Sequence, residues 1–188
     1  MRATLDKLIS WTGLVLALVL LVAGGLLTWA SVFVGDQVSQ QLSDQHITMP
    51  AEDQLTTADQ NDALAQYAGE DMTTGAQAKA YADHYILAHL DEVADGKTYS
   101  EVSGAYIAAG CSDPAKASDE NCQTLGGQRQ TLFMGSTLRG LLLNAYAFGT
   151  IGMIAMYAAI AAYAGAVVML LLGLLGLRHA KQAAGATA

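Results

Sequence analysis

Proline and cysteine are scarce in this 188-residue chain, two of each, and phenylalanine occurs three times. Collagen-like and proline-rich classes are therefore excluded. Basic residues are also few: nine Lys and Arg stand against seventeen Asp and Glu, a formal net charge of −8. Nucleic-acid-binding domains carry a basic patch as their electrostatic footprint, so no nucleic-acid partner is expected. Charged residues make up only 14% of the chain, where about 25% is usual, although a hydrophobic share of 53% is ordinary.

Charge is missing most completely in two places. No Asp, Glu, Lys or Arg occurs in the 28 residues 8–35 or in the 38 residues 140–177. A helix crosses a hydrocarbon core of about 30 Å in about 20 residues, so each run is long enough to span a membrane. Two such runs are too much apolar sequence for the core of so small a chain. In the first, Trp11 and Trp29 lie 18 residues apart, about 27 Å along a helix, the separation of aromatic belts at two water interfaces. A signal peptide is the competing reading, since Arg2 and Lys7 precede the run and Thr28-Trp29-Ala30 loosely resembles a cleavage site. Its apolar region would be about 7–15 residues, much shorter than this one. No cysteine follows that could carry a lipoprotein anchor, and the sequence opens on Met1. An uncleaved anchor is expected.

The second run would extend about 57 Å if helical throughout. Tyr157 to Arg178 alone covers about 31 Å, enough for the bilayer core. Leu141 to Met156 is therefore expected to project as a helical stalk, the alternative being a strongly tilted span. An uncharged stalk exposes apolar surface and should pack on the external domain or on another protein. The middle segment, 36–139, holds sixteen acidic and five basic residues, whereas the ends carry Arg2, Lys7, Arg178 and Lys181. The positive-inside rule then places both termini in the cytoplasm and the middle outside, with Arg139 dissenting.

The external segment begins with a polar stretch, 37–69, expected to be irregular, in which Pro50 rules out one continuous helix. Thr74-Gly75-Ala76-Gln77 and Thr98-Tyr99-Ser100-Glu101 have capping-box form. The first opens a helix to Ala94 with Ala82, Ile86, Leu90 and Val93 on one stripe, stopped near Gly96. The second opens a helix through Val102 and Tyr106 that ends near Gly110. No alternating strand pattern reaches five residues.

Cys111 and Cys122 both lie in the segment assigned outside, where an even count favours a disulfide. Closing a loop of about a dozen residues stabilises by about 3 kcal/mol on the chain-entropy model. Zinc would need further ligands, and no histidine falls between the two cysteines. The expected fold class is an all-α membrane protein: two transmembrane helices flanking a small helical, disulfide-containing extracytoplasmic domain. Its parts are a cytoplasmic N-terminus (1–7), transmembrane helix 1 (8–35), the acidic helical domain (36–139), a helical stalk with transmembrane helix 2 (140–177), and a cytoplasmic tail (178–188).

Signs of chemistry are few. His84 and His89 are five residues apart, about 140° around an α-helix, so solvated helix histidines are expected rather than a metal pair. His179, beside Arg178 and Lys181, suits an interfacial anchor. No histidine lies in either span, which removes the usual haem ligand. No ionisable group lies there either, and such groups mark proton relays and transport sites. Phosphate-binding glycine loops, Ser-His-Asp motifs and zinc signatures are missing. No catalytic residue, metal or cofactor is expected, and the chain is not expected to be an enzyme. Instead, Ala155, Ala158, Ala159, Ala162, Gly165 and Ala166 recur at helical spacing, a helix-packing face of small residues. Its partner could be the first span, which offers Gly13, Ala17, Gly24 and Gly25, or a larger complex. Trp11, Trp29, Tyr157 and Arg178 are the expected interface anchors.

Several stretches also carry a family resemblance. After the N-terminal span come Asp44-Gln45-His46-Ile47-Thr48-Met49, the helix Ala76 to Leu90, and Gly96-Lys97-Thr98-Tyr99-Ser100-Glu101. Thr131-Leu132-Phe133-Met134-Gly135-Ser136-Thr137-Leu138-Arg139 then enters the second span. This order resembles a group of actinobacterial two-span membrane proteins often labelled aromatic ring-opening dioxygenases. The stretch Gly110 to Gly127 looks like an insertion in that pattern. Members of the group are similar to accessory subunits of the actinobacterial cytochrome bcc–aa3 respiratory supercomplex. The resemblance implies a structural role beside cytochrome bcc and cytochrome aa3 oxidase subunits, in contact with membrane lipid. The dioxygenase label would require two histidines and a carboxylate around iron, and no such cluster is recognisable. The competing readings are an extracytoplasmic binding or sensing module and a membrane enzyme with an external site.

Overall fold

The computed structural model describes residues 2–185, and side chains over 4–182. These residues are helical and contain no strand; one isolated antiparallel bridge joins Thr48 and Asp71. In order, the helices are α1 (Arg2–Ser43), α2 (Ala58–Leu64), α3 (Gly75–Ala80), a π-helical segment (Tyr81–Ile86), α4 (Leu87–Ala94), α5 (Tyr99–Ala108) and α6 (Glu120–Gly185). The chain divides into two compact units: Met1–Asp36 with Thr150–Ala188, and Gln37–Gly149. Both α1 and α6 are long and apolar enough to cross a membrane.

In the Gln37–Gly149 unit, local chemistry accounts for most helix ends. Thr74 accepts a hydrogen bond from the Gln77 amide, and the Gln77 side chain accepts from the Thr74 amide, closing the expected box. Thr98 and Glu101 do the same for α5. Asp95 and Gly96, at φ 50° and 72°, terminate α4, where glycine accepts the left-handed conformation without a Cβ penalty. Gly110 plays the same part after α5 at φ 71°.

The stretch 37–69 departs from expectation. It is irregular only in part, over 44–57: α1 runs on to Ser43, and Thr57 with Gln60 forms a third capping box that starts α2. Pro50 lies in the linker between them, just before a 3-10 turn at Glu52–Gln54. A second difference lies in the stripe on the middle helix. Ala82, Ile86 and Leu90 are buried, but the fourth buried position is Ala94, while Val93 is only half-buried. The π turn takes more residues than an α turn, which carries the stripe on at intervals of four. A third is the helix over 120–139, which patterning does not predict because Gly126-Gly127 lowers helix propensity. Asp119 starts it, accepting from the Cys122 amide at 3.1 Å.

The core of this unit is built from Leu42, Met49, Leu64, Met72, Leu90, Val102, Leu132 and Leu142, each at most 6% exposed. Gly75 sits where α3 meets α6: a Cβ added there would lie 2.9 Å from Tyr146 Cα and 3.0 Å from the Ala145 carbonyl oxygen. The uncharged residues 140–149 thus pack on the domain's own helices.

Candidate functional site

In the first unit, α1 and α6 meet along a seam of small residues repeating every seven positions. On α1 the buried positions are Ser10, Ala17, Gly24 and Ser31; on α6 they are Gly152, Ala159, Ala166, Gly173 and Ala180. A seven-residue repeat keeps one stripe facing its partner along a packed helix pair, and small side chains let the backbones approach. The contacts run antiparallel. A Cβ added at Gly152 would meet Ser31 O at 3.6 Å, one at Gly165 would meet Leu20 at 3.3 Å, and one at Gly173 would meet Ser10 O at 3.1 Å. Gly24 lies under the ring of Tyr163, whose hydroxyl is 3.2 Å from Thr28 Oγ1.

Of the sequence-derived packing residues, Ala159 and Ala166 are buried, and Ala155, Ala162 and Gly165 half-buried. Ala158 is exposed, and Gly25 has open space beside it. Both fall outside the seam, because a spacing of one residue turns a side chain about 100° around the helix. The seam partner of this face is the chain's own first helix. The seven-residue period, visible in Ser10, Ala17, Gly24 and Ser31, is the sequence signal of the seam, and on α6 it includes Gly152 and Gly173. The four anchors all point outward: Trp11 is 61%, Trp29 66% and Tyr157 71% exposed, and Arg178 is exposed too. Trp29 stacks on Phe33 with centroids 5.6 Å apart.

Cys111 and Cys122 form a disulfide with Cα atoms 5.2 Å apart. The closed loop is fastened to α5 by Tyr106, whose hydroxyl donates to the Cys111 carbonyl at 2.8 Å. Lys116 also donates to the Ala109 carbonyl at 2.7 Å.

The charged centre of the Gln37–Gly149 unit is Asp83, in the π segment. It accepts from Lys79 at 2.5 Å and from Arg139 of α6 at 2.8 Å. The hydrogen bond from Lys79, supported by Arg139, holds its carboxyl below the usual aspartate range, against the opposing effect of burial. Lys79 is correspondingly raised by its bond to Asp83, and it lies over the Tyr146 ring at 5.6 Å. Arg139 therefore ties two elements of this unit together. His84 is not simply solvated: its Nδ1 lies 2.6 Å from Asp59, brought over by the helix α2 that the sequence reading does not place. His89 is exposed. Among the described residues, no three His, Cys, Asp or Glu side chains gather as a metal site requires.

In comparisons with known proteins, the chain matches no family model, no curated protein and no solved structure. Any link to the respiratory supercomplex therefore rests on the short motifs quoted above.

Proposed function

We propose that this chain is a non-catalytic accessory subunit of a large membrane complex, supporting its assembly or stability. The sequence resemblance supplies the complex, the actinobacterial cytochrome bcc–aa3 supercomplex, with cytochrome bcc and cytochrome aa3 oxidase subunits as neighbours. One observation carries the reading. Once the seam is made, the remaining faces of both long helices are covered with exposed large apolar side chains, among them Leu18, Leu26, Trp29, Ile154, Ile160 and Leu171. Only 11% and 17% of the most apolar stretches are buried within the chain. Leaving each such side chain in water forgoes about 1.5–3 kcal/mol, so lipid and neighbouring subunits are their natural cover.

The positive-inside rule supports a two-span plasma-membrane protein with cytoplasmic termini and an extracytoplasmic middle. The uncharged spans favour packing over transport. In the external unit, Asp83 is engaged by Lys79 and Arg139, as a brace between helices would be. A second reading, an extracytoplasmic binding module, is favoured by a hollow around Arg129.

Deleting the gene tests the proposal. On native gels of solubilised membranes, the deletion should lower the amount or mass of a haem-staining complex, and re-expression should restore it. An unchanged complex, equally stable to detergent, would sink the assembly role.

A further inference from the structure

We infer that the face formed by α5 and the start of α6 is a docking site for an aromatic or aliphatic segment of a partner protein that bears a single carboxylate, with Arg129 receiving that carboxylate. The inference rests on the subunit reading above and names the surface through which the external unit would engage its neighbour.

The first argument is a cation without a counter-charge. The external segment holds sixteen carboxylates and five basic residues. Lys79 and Arg139 both give their charge to Asp83, Lys116 bonds a backbone carbonyl, and Lys97 is exposed near Glu101. Arg129 differs. It is half-buried, with its guanidinium 5.1 Å from the centre of the Tyr106 ring, and it makes no ion pair among the described residues. Its guanidinium lies over the Tyr106 ring and bonds the Tyr99 hydroxyl, contacts that hold the fork in place and leave further donors for a carboxylate from outside.

The second argument is the surface around it. Tyr99, Tyr106, Gly126, Arg129, Gln130 and Phe133 line a hollow of about 290 Å³. The Tyr99 and Phe133 rings are 5.8 Å apart. Tyr106 is fixed from behind by its bond to the disulfide loop, and Gly126 leaves the floor open, since an added Cβ would touch Tyr106 at 3.6 Å. Within residues 37–139 the exposed large apolar side chains are Tyr99, Ile107, Phe133 and Met134, all on α5 or the adjoining part of α6. Arginine and tyrosine dominate binding hot spots, and exposed Phe and Met are typical of interface cores.

Charge then selects the occupant. A free anion, or a segment rich in carboxylates, meets a domain of net charge −11 (sixteen acidic, five basic) and gains only one cation. A protein segment with Asp or Glu beside an aromatic or aliphatic residue gains the Arg129 pair and the aromatic walls together.

The test uses the full chain in detergent micelles with two synthetic peptides, one bearing Glu beside Phe and the other Gln in its place. The Glu peptide should bind about tenfold more tightly, as expected for a charge-assisted pair. Arg129→Gln should erase that difference, and Phe133→Ala, at an exposed position, should weaken both peptides. Equal affinity for the two peptides would overturn the site. In native membranes, a benzoylphenylalanine photo-crosslinker replacing Phe133 should label a partner segment containing Asp or Glu. Labelling of lipid or of a second copy of this chain would overturn it. If the chain still purifies with a membrane complex but the crosslink maps to a segment without carboxylates, the site falls while the subunit reading stands. If it purifies alone and the Glu peptide still binds, the subunit reading falls and the carboxylate specificity of the hollow stands.

Discussion

Gly75→Ala is a sharp probe of how the Gln37–Gly149 unit holds its part of α6. Gly75 is the first residue of α3, behind the Thr74 cap, and it is buried. An alanine methyl would lie 2.9 Å from Tyr146 Cα and 3.0 Å from the Ala145 carbonyl oxygen. Carbon atoms rest at about 3.5–4.0 Å, and neither obstacle is a side chain that can swing aside. The helices must separate by roughly 0.5–1 Å at this point, loosening every contact nearby. Such overpacking costs about 1–3 kcal/mol, offset by up to about 1 kcal/mol from removing a glycine in a helix. The net loss should be about 1–2 kcal/mol, lowering the thermal midpoint of the full chain by about 2–8 °C. Gly149→Ala is the control, because its added methyl meets only Gly75 Cα and N at ordinary distances of 3.7 and 3.9 Å. Thermal unfolding in detergent, followed by circular dichroism, should show the first variant destabilised and the second not. A Gly75→Ala protein as stable as its parent would refute the close approach of α3 and α6.

Asp83 should make stability sensitive to acid. Its folded pKa lies below the ordinary 3.8, so its contribution is fully present above that value and disappears as pH falls through the depressed one. Asp83→Asn should lose stability at neutral pH and less on acidification below about pH 4 than the parent; parallel pH profiles of the thermal midpoint would contradict this. Ala159→Leu, at a fully buried seam position, should destabilise the helix pair by about 1–3 kcal/mol, whereas Ala158→Leu, on an exposed face, should not. Equal midpoints for the two variants would remove the seven-residue seam from the account. Alkylation of Cys111 and Cys122 in intact membranes should require a reductant, and reduction should cost up to about 3 kcal/mol; prompt labelling without reductant would argue against the bridge.

The parts of the fold most legible in the sequence depend on local rules. Thr74 with Gln77 and Thr98 with Glu101 announce their helices through reciprocal hydrogen bonds, and the charge-free runs announce the long helices. Thr57 with Gln60 obeys the same rule but lies in a polar stretch without an apolar stripe, so its helix has no second signal in the sequence. What could not be read depends on distant neighbours. The Asp83–Arg139 bond joins residues 56 apart in sequence, and Arg129 acquires its setting only when α6 returns beside α5. The small-residue face was legible as composition, yet its phase was set by α1, which excludes Ala158 and admits Gly152 and Gly173.

The central claim is membership of a large membrane complex, and affinity purification of the tagged chain in mild detergent tests it most directly. The account predicts that the chain elutes in a high-mass fraction with haem absorbance and contains cytochrome bcc and aa3 oxidase subunits by mass spectrometry. A monomeric or self-associated 19.6 kDa chain, free of haem and of larger partners, would contradict it.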